Sequence, residues 1–134
     1  MMTATRIQWS LFLIRVGVFI VMLMWTLDKF VQPEHSGKVF ESFYGLSGWS
    51  ESIFLVIAVF EMVLILAFLL GMWKRLTYGL VMILHAGSTF SAFSLYLDPF
   101  AHLLFFAAWP MLAACITLYL LRDEDSFMTL KFNK

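Results

Sequence analysis

The chain has 134 residues, 62% of them hydrophobic and 13% charged, and its nine basic and nine acidic residues balance to a formal charge of zero. A mean hydropathy of +0.88 and a charged fraction far below the ~25% of soluble domains exclude water as the main solvent. The balanced charge gives no clustered basic surface for nucleic acid, and the single Cys115 excludes an intrachain disulfide or a CxxC motif and is expected to pack inside a helix.

The apolar residues fall into four long blocks rather than the short alternating segments of a barrel. Helices, which satisfy their own backbone hydrogen bonds, are therefore the expected way through lipid. The pattern predicts an all-α integral membrane four-helix bundle, one domain over residues 1–134, with spans at residues 9–27, 52–71, 76–97 and 101–121. Each is near the ~20 residues that cross a hydrocarbon core. Arg6 precedes the first block, but Arg15 interrupts it and no small-x-small cleavage site follows Leu27, so the segment reads as retained rather than as a signal peptide.

Between the first two spans, Val39, Phe40, Phe43, Tyr44 and Leu46 alternate with Lys38, Glu41 and Ser42 at near-helical spacing. This predicts a short amphipathic extracytoplasmic helix at the membrane surface. Gly37, Gly45 and Gly48 weaken any helix here, and an ordinary solvated loop is the alternative. Only Met72-Trp73-Lys74-Arg75 separates the second span from the third, and Asp98-Pro99 separates the third from the fourth, so both pairs are antiparallel neighbours. Pro110 is expected to kink the fourth span and free the carbonyl of Phe106.

Arg6, Lys74, Arg75, Arg122, Lys131 and Lys134 flank the spans on one side. The other side has Lys29 and Lys38 beside Asp28, Glu34, Glu41, Glu51 and Asp98. The positive-inside rule then puts both termini in the cytoplasm, and Trp9, Trp25, Trp49 and Trp73 mark the interfaces as an aromatic belt.

Arg15, Glu61 and His85 lie inside the spans, where an unpaired charge costs about 2.5–3.5 kcal/mol on insertion scales. By helix rise they stand about 9, 15 and 13 Å from the cytoplasmic side. An Arg15–Glu61 ion pair with His85 nearby is the expectation, forming a polar pocket with Ser88 and Thr89. Arg15 snorkelling to the cytoplasm, with Glu61 protonated or paired to His85, is the alternative, and so is a cluster that only fixes helix register.

On the third span Tyr78, His85, Ser88, Thr89, Ala92 and Tyr96 share a face, and Gly87, Ser88, Ser91 and Ala92 let another helix approach closely. On the first span Arg15, Met22, Thr26 and Lys29 share a face. At the outer side Asp28, Lys29, His35, Asp98 and His102 are candidates for a polar rim or entrance.

His85 and His102 stand roughly 15 Å apart in depth, which excludes a bis-histidine haem. His35, His102 and Asp98 lack any ligand spacing of the H-E-x-x-H kind, so no metal is expected. No nucleophile with its base, phosphate-binding glycine loop or cofactor fingerprint is present, which argues against an autonomous enzyme.

Leu13-Ile14-Arg15-Val16-Gly17, Asp28-Lys29-Phe30, Phe60-Glu61-Met62 and Leu69-Leu70-Gly71-Met72-Trp73-Lys74-Arg75 occur in that order. In these the chain resembles the DoxX family of small bacterial four-helix membrane proteins. It departs from many relatives at His102, where they carry asparagine, and in its acidic Arg122-Asp123-Glu124-Asp125 segment.

The resemblance implies an inner-membrane accessory subunit of a redox or respiratory assembly, since the related DoxD protein belongs to a thiosulfate:quinone oxidoreductase. A quinone or a lipid in the Arg15, Glu61 and His85 pocket is the implied ligand, and other membrane subunits or a second copy are the implied partners. A scaffold or assembly factor without ligand, and a small proton-coupled transporter using Glu61 and His85, are the other readings.

Overall fold

The computed structural model describes residues 2–131, so Lys134, one of the cations used for orientation, lies outside them. The chain is all-helical, with no strand among the described residues. In order come α1 (Met2–Val31), α2 (Pro33–Tyr44), α3 (Glu51–Leu69), α4 (Lys74–Ser91), the short α5 (Phe93–Tyr96), two 3₁₀ turns (Pro99–Ala101 and Leu103–Ala107) and α6 (Ala108–Leu120).

Three helical stretches are long and apolar enough to cross a membrane: Thr3–Val31, Glu51–Leu69 and Leu103–Leu120. The remaining long helix, α4, is more polar, carrying Thr77, His85, Ser88, Thr89 and Ser91. Helix α1 packs on α3 and α6, and α4 packs on the same two, so the four long helices form a square with α1 and α4 on one diagonal.

The buried stripe of α1 runs Leu11, Arg15, Val18, Met22, Thr26 and Lys29, steps of three and four that keep one face inward. Three of those six inward residues are polar, and they decide where the site lies. Leu64, Ile65, Phe68, Val81, Cys115 and Leu118 complete the core from the other helices. The outer faces expose Leu13, Ile20, Met24, Val56, Phe60, Val63, Ile83 and Leu120, an apolar exterior of the kind that lipid solvates.

Helix α2 is helical rather than a loop. Pro33 opens it at a position where its missing N–H is no loss, and Gly45 at φ +66° closes it, donating to the Glu41 carbonyl at 3.1 Å. Pro33, Ser36, Gly37, Val39, Phe40 and Phe43 face inward while Glu34, His35, Lys38 and Glu41 are exposed. Phe40 packs against Tyr44, Trp49 and Phe54, pinning α2 across the end of α3.

Two expectations are corrected at the far side of the bundle. The stretch 76–97 is not one continuous helix: the backbone leaves helical geometry at Ala92, while Thr89 Oγ1 bonds the His85 carbonyl (2.8 Å) and Tyr96 Oη bonds the Thr89 carbonyl (2.9 Å). Side-chain hydroxyls that take up helix carbonyls favour such a bend. Pro110 does not kink a long α-helix either. It is the third residue of α6, in the first turn, where an N–H is unpaired in any case, and the chain before it winds as 3₁₀.

The turn between α3 and α4 fixes the opposite end. Met72 donates to the Ala67 carbonyl (2.9 Å) and Gly71 to that of Phe68 (3.0 Å), a Schellman closure with Gly71 at φ +66°. The residues after α6 lie directly on this turn, where Leu130 N–H reaches the Leu70 carbonyl at 2.8 Å. A Cβ on Gly71 would stand 2.5 Å from Thr129 Cγ2.

Gly71→Ala should therefore lose about 1–2 kcal/mol from the left-handed backbone alone, with a further loss from the Thr129 clash. Adding Thr129→Gly should recover the second part and leave the first. Thermal unfolding of both variants in detergent measures the split, and a Gly71→Ala midpoint equal to wild type would refute the packing.

Candidate functional site

The inward face of α1 carries Arg15 with no exposed surface, so the guanidinium must find its acceptors inside the protein. They come from the residues following α6. Arg15 Nη1 donates to Asp125 Oδ2 at 2.8 Å, and both side chains are 0% exposed. Arg15 Nη2 donates to the Phe127 carbonyl at 2.7 Å and the Met128 carbonyl at 3.2 Å. Tyr78, across the diagonal on α4, donates its hydroxyl to Asp125 Oδ2 at 2.6 Å and lies 3.3 Å from Arg15 Nη1. The guanidinium also stands 5.6 Å from the Phe12 ring centroid.

Segment 122–131 folds over this end as a strap. Gln8 Oε1 accepts from Ser126 N–H (2.9 Å), Ser126 Oγ (3.1 Å) and Phe127 N–H (2.9 Å), and Gln8 Nε2 donates to the Glu124 carbonyl. The Phe127 ring packs on Trp9 and Phe12 at centroid distances of 4.8 and 5.3 Å. Lys74, in the first turn of α4, donates to the Asp125 carbonyl. Burial pushes the Lys74 ammonium below the ordinary lysine value, with Asp125 opposing that shift and Arg15 adding to it.

The expected Arg15–Glu61 ion pair is not formed. Glu61 Oε2 instead accepts from Lys29 Nζ at 3.0 Å and Thr26 Oγ1 at 3.1 Å. The reason is depth: Arg15 stands near the middle of α1, at the level the strap reaches, while Lys29 lies about 21 Å further along the helix and extends its long arm to the level of Glu61.

His85 joins neither pair. A carbonyl can only accept, so His85 Nε2 donates to the Ala108 carbonyl (3.0 Å), tying α4 to the start of α6. Thr89 is spent on the helix backbone, and Ser88 is exposed, its carbonyl accepting from Ser91 Oγ at 2.8 Å. The predicted pocket of Arg15, Glu61, His85, Ser88 and Thr89 is thus a set of separate polar contacts that do not converge.

The predicted rim gathers in part. Asp28 Oδ2 meets His35 Nδ1 at 2.7 Å and Ser36 Oγ at 3.1 Å, and the His35 ring stacks near-parallel on Trp25. Lys29 points inward to Glu61. Among the described residues no hydrogen bond or ion pair joins the side chains of Asp98 or His102 to this group, and His102 meets the Phe105 ring edge-on. A recess of about 530 Å³ opens at the α1–α2 junction, lined by Val31, Gln32, Pro33, Glu34, His35, Lys38 and Glu51. Its charged lining does not suit a quinone ring. Among the described residues no group of three His, Cys, Asp or Glu could hold a metal ion.

Asp125 is the residue that sequence reasoning missed, because an Arg-Asp-Glu-Asp run after a span reads as solvated. The signal was geometric: the run follows a span that ends on the side nearest Arg15. Comparison with known proteins gives no match to a family model, to a curated protein or to a solved structure.

Removing one member of a buried ion pair leaves the other uncompensated, so Arg15→Met should cost about 3–5 kcal/mol. Arg15→Met/Asp125→Leu should regain much of that loss. Double-mutant cycles in detergent should give coupling for 15 with 125 and for 29 with 61, and near-additivity for 15 with 61. Strong coupling between positions 15 and 61 would refute this arrangement.

Proposed function

We propose that the chain is a DoxX-like protein of the bacterial inner membrane, crossing it four times with both termini cytoplasmic, and serves as an accessory subunit of a redox or respiratory assembly. The observation that carries the accessory role is the outward face of the polar helix: Gly87, Ser88 and Ser94 are exposed on α4 and α5. Hydroxyls gain nothing from acyl chains, whereas small polar residues let a neighbouring helix approach closely and bond across the contact. A membrane protein partner fits that face better than lipid does.

The four-span reading counts α4 with α5 as the third crossing, between two helices that qualify by themselves. The cytoplasmic placement is supported by Arg6, Lys74, Arg75 and Arg122 standing at the strap end of the bundle, the pattern of the positive-inside rule. The redox setting rests on the resemblance. Quinone binding between Arg15, Glu61 and His85 is no longer part of the reading, because all three are paired within the chain.

The same internal pairing favours a second reading, a scaffold or assembly factor in which the charges only hold helices together. It disfavours proton-coupled transport, for which an ionisable group free to exchange protons along a path is needed.

Gly87 has nothing within 4 Å of where a Cβ would stand, so the fold accepts a large side chain there. Gly87→Trp should change stability by no more than about 0.5 kcal/mol while detaching the partner when native membranes are solubilised mildly. Mass spectrometry of what copurifies should identify a redox subunit with wild type and lose it with the variant. A partner without redox chemistry would favour the scaffold, and an unpartnered wild-type chain would refute both.

A further inference from the structure

Apart from Tyr78, every hydrogen-bond partner of Arg15 belongs to the strap: Asp125 Oδ2 and the carbonyls of Phe127 and Met128. The match is incomplete on both sides. Arg15 Nε is buried without an acceptor, and Asp125 Oδ1 is buried without a donor. A guanidinium offers a fork that a two-oxygen anion can fill with two parallel bonds, and Asp125 fills only part of it. Orphaned buried donors of this kind cost free energy that a better-shaped anion would recover.

Charge is unbalanced in the same direction. Arg15 and Lys74 both bond to Asp125, one to its carboxylate and one to its carbonyl, and with Asp123 and Lys131 also acting on Lys74 the cations Arg15, Lys74 and Lys131 outnumber the anions Asp123 and Asp125. The strap is also held mainly by polar atoms. Asp125 is its one fully buried residue, while Ser126, Met128 and Leu130 are exposed. Met128 takes φ +50°, a left-handed backbone that a side chain disfavours. Release of the strap relieves that strain, provided another anion replaces the Asp125 carboxylate.

We propose that Arg15, Tyr78 and Lys74 form an oxyanion site that Asp125 occupies in cis, and that a phosphate group, free in solution or on an anionic lipid, competes with the strap for it. A phosphate brings at least three acceptor oxygens, two of which fill the Nε–Nη2 fork of Arg15 once the Phe127 and Met128 carbonyls leave with the strap, while Nη1 keeps Tyr78 Oη, and its second charge answers Lys74. The site stands where α3 and α6 end and α4 begins, beside the middle of α1, a level that an anionic headgroup approaches when the protein is in a membrane. The inference does not need the redox reading, since its test reports on Arg15 and the strap, and copurification reports on α4.

The test uses the full chain in neutral detergent, comparing wild type, Asp125→Ala and Asp125→Ala/Arg15→Met. Each is titrated with inorganic phosphate against chloride at equal ionic strength, and with phosphatidylglycerol against a neutral glycolipid. Asp125→Ala should bind about tenfold or more tightly than wild type, because the cis competitor is gone, and should recover at least half of its lost thermal midpoint. The variant lacking Arg15 should recover none.

Response to phosphate alone identifies a free-anion site, and response to phosphatidylglycerol alone a lipid site. If Asp125→Ala does not fold, amide exchange in wild type decides: the occupying anion should speed exchange across residues 124–130. No response to either probe, or an equal response without Arg15, overturns the proposal.

Discussion

An arginine on the inward face of the first helix needs an anion, and the arrangement of this protein follows from where that anion is found. Arg15 has no exposed surface, and its counter-charge is Asp125, 110 residues later in the chain. To deliver it, the segment after α6 must turn back over the bundle. That path draws Gln8, Lys74, Tyr78 and the Gly71 turn into one contact network. One buried charge thereby connects both ends of the chain with the α3–α4 hairpin. Such pairs need not add net stability over apolar residues of similar volume, but breaking one is costly, and that asymmetry gives the strap a defined seat.

The two charges on the inward face of α1 are answered separately. Mid-helix Arg15 is answered by residues distant in sequence, and Lys29 near the end of α1 by reaching Glu61, with Thr26 completing the set. Beside it Asp28 takes His35 and Ser36 of α2. Adjacent residues thus serve different elements, Lys29 holding α3 and Asp28 holding α2. Between these two charges, Val18 and Met22 supply an apolar stretch.

Much of the fold is legible in the sequence because it rests on composition and local chemistry. Long apolar blocks predict the helices, two short connections predict antiparallel neighbours, and near-helical spacing of Val39, Phe40, Phe43 and Tyr44 predicts the amphipathic helix, although Gly45, read there as a weakness, is what closes it. The failures are equally physical. Helical periodicity places Arg15, Glu61 and His85 on inward faces but carries no information on which inward faces share a depth, so the wrong partners were matched. Asp125 is invisible to any reading by periodicity, since it sits in an irregular segment and is buried by tertiary contact alone. The bend at Ala92 depends on where hydroxyls find carbonyls, and Pro110 depends on where the α-helix begins, both decided after packing.

The 110 residues between Arg15 and Asp125 are also an interval of time. Synthesis at 5–20 residues per second makes a ribosome take roughly 5–20 s to travel from one codon to the other. Throughout that interval the nascent first helix holds a guanidinium whose final counter-ion does not yet exist. Water, lipid phosphates or a chaperoning protein must solvate it in the meantime. Consolidation of the native bundle therefore waits for Asp125, and a nascent chain arrested before it carries every long helix but not the charge that locks them.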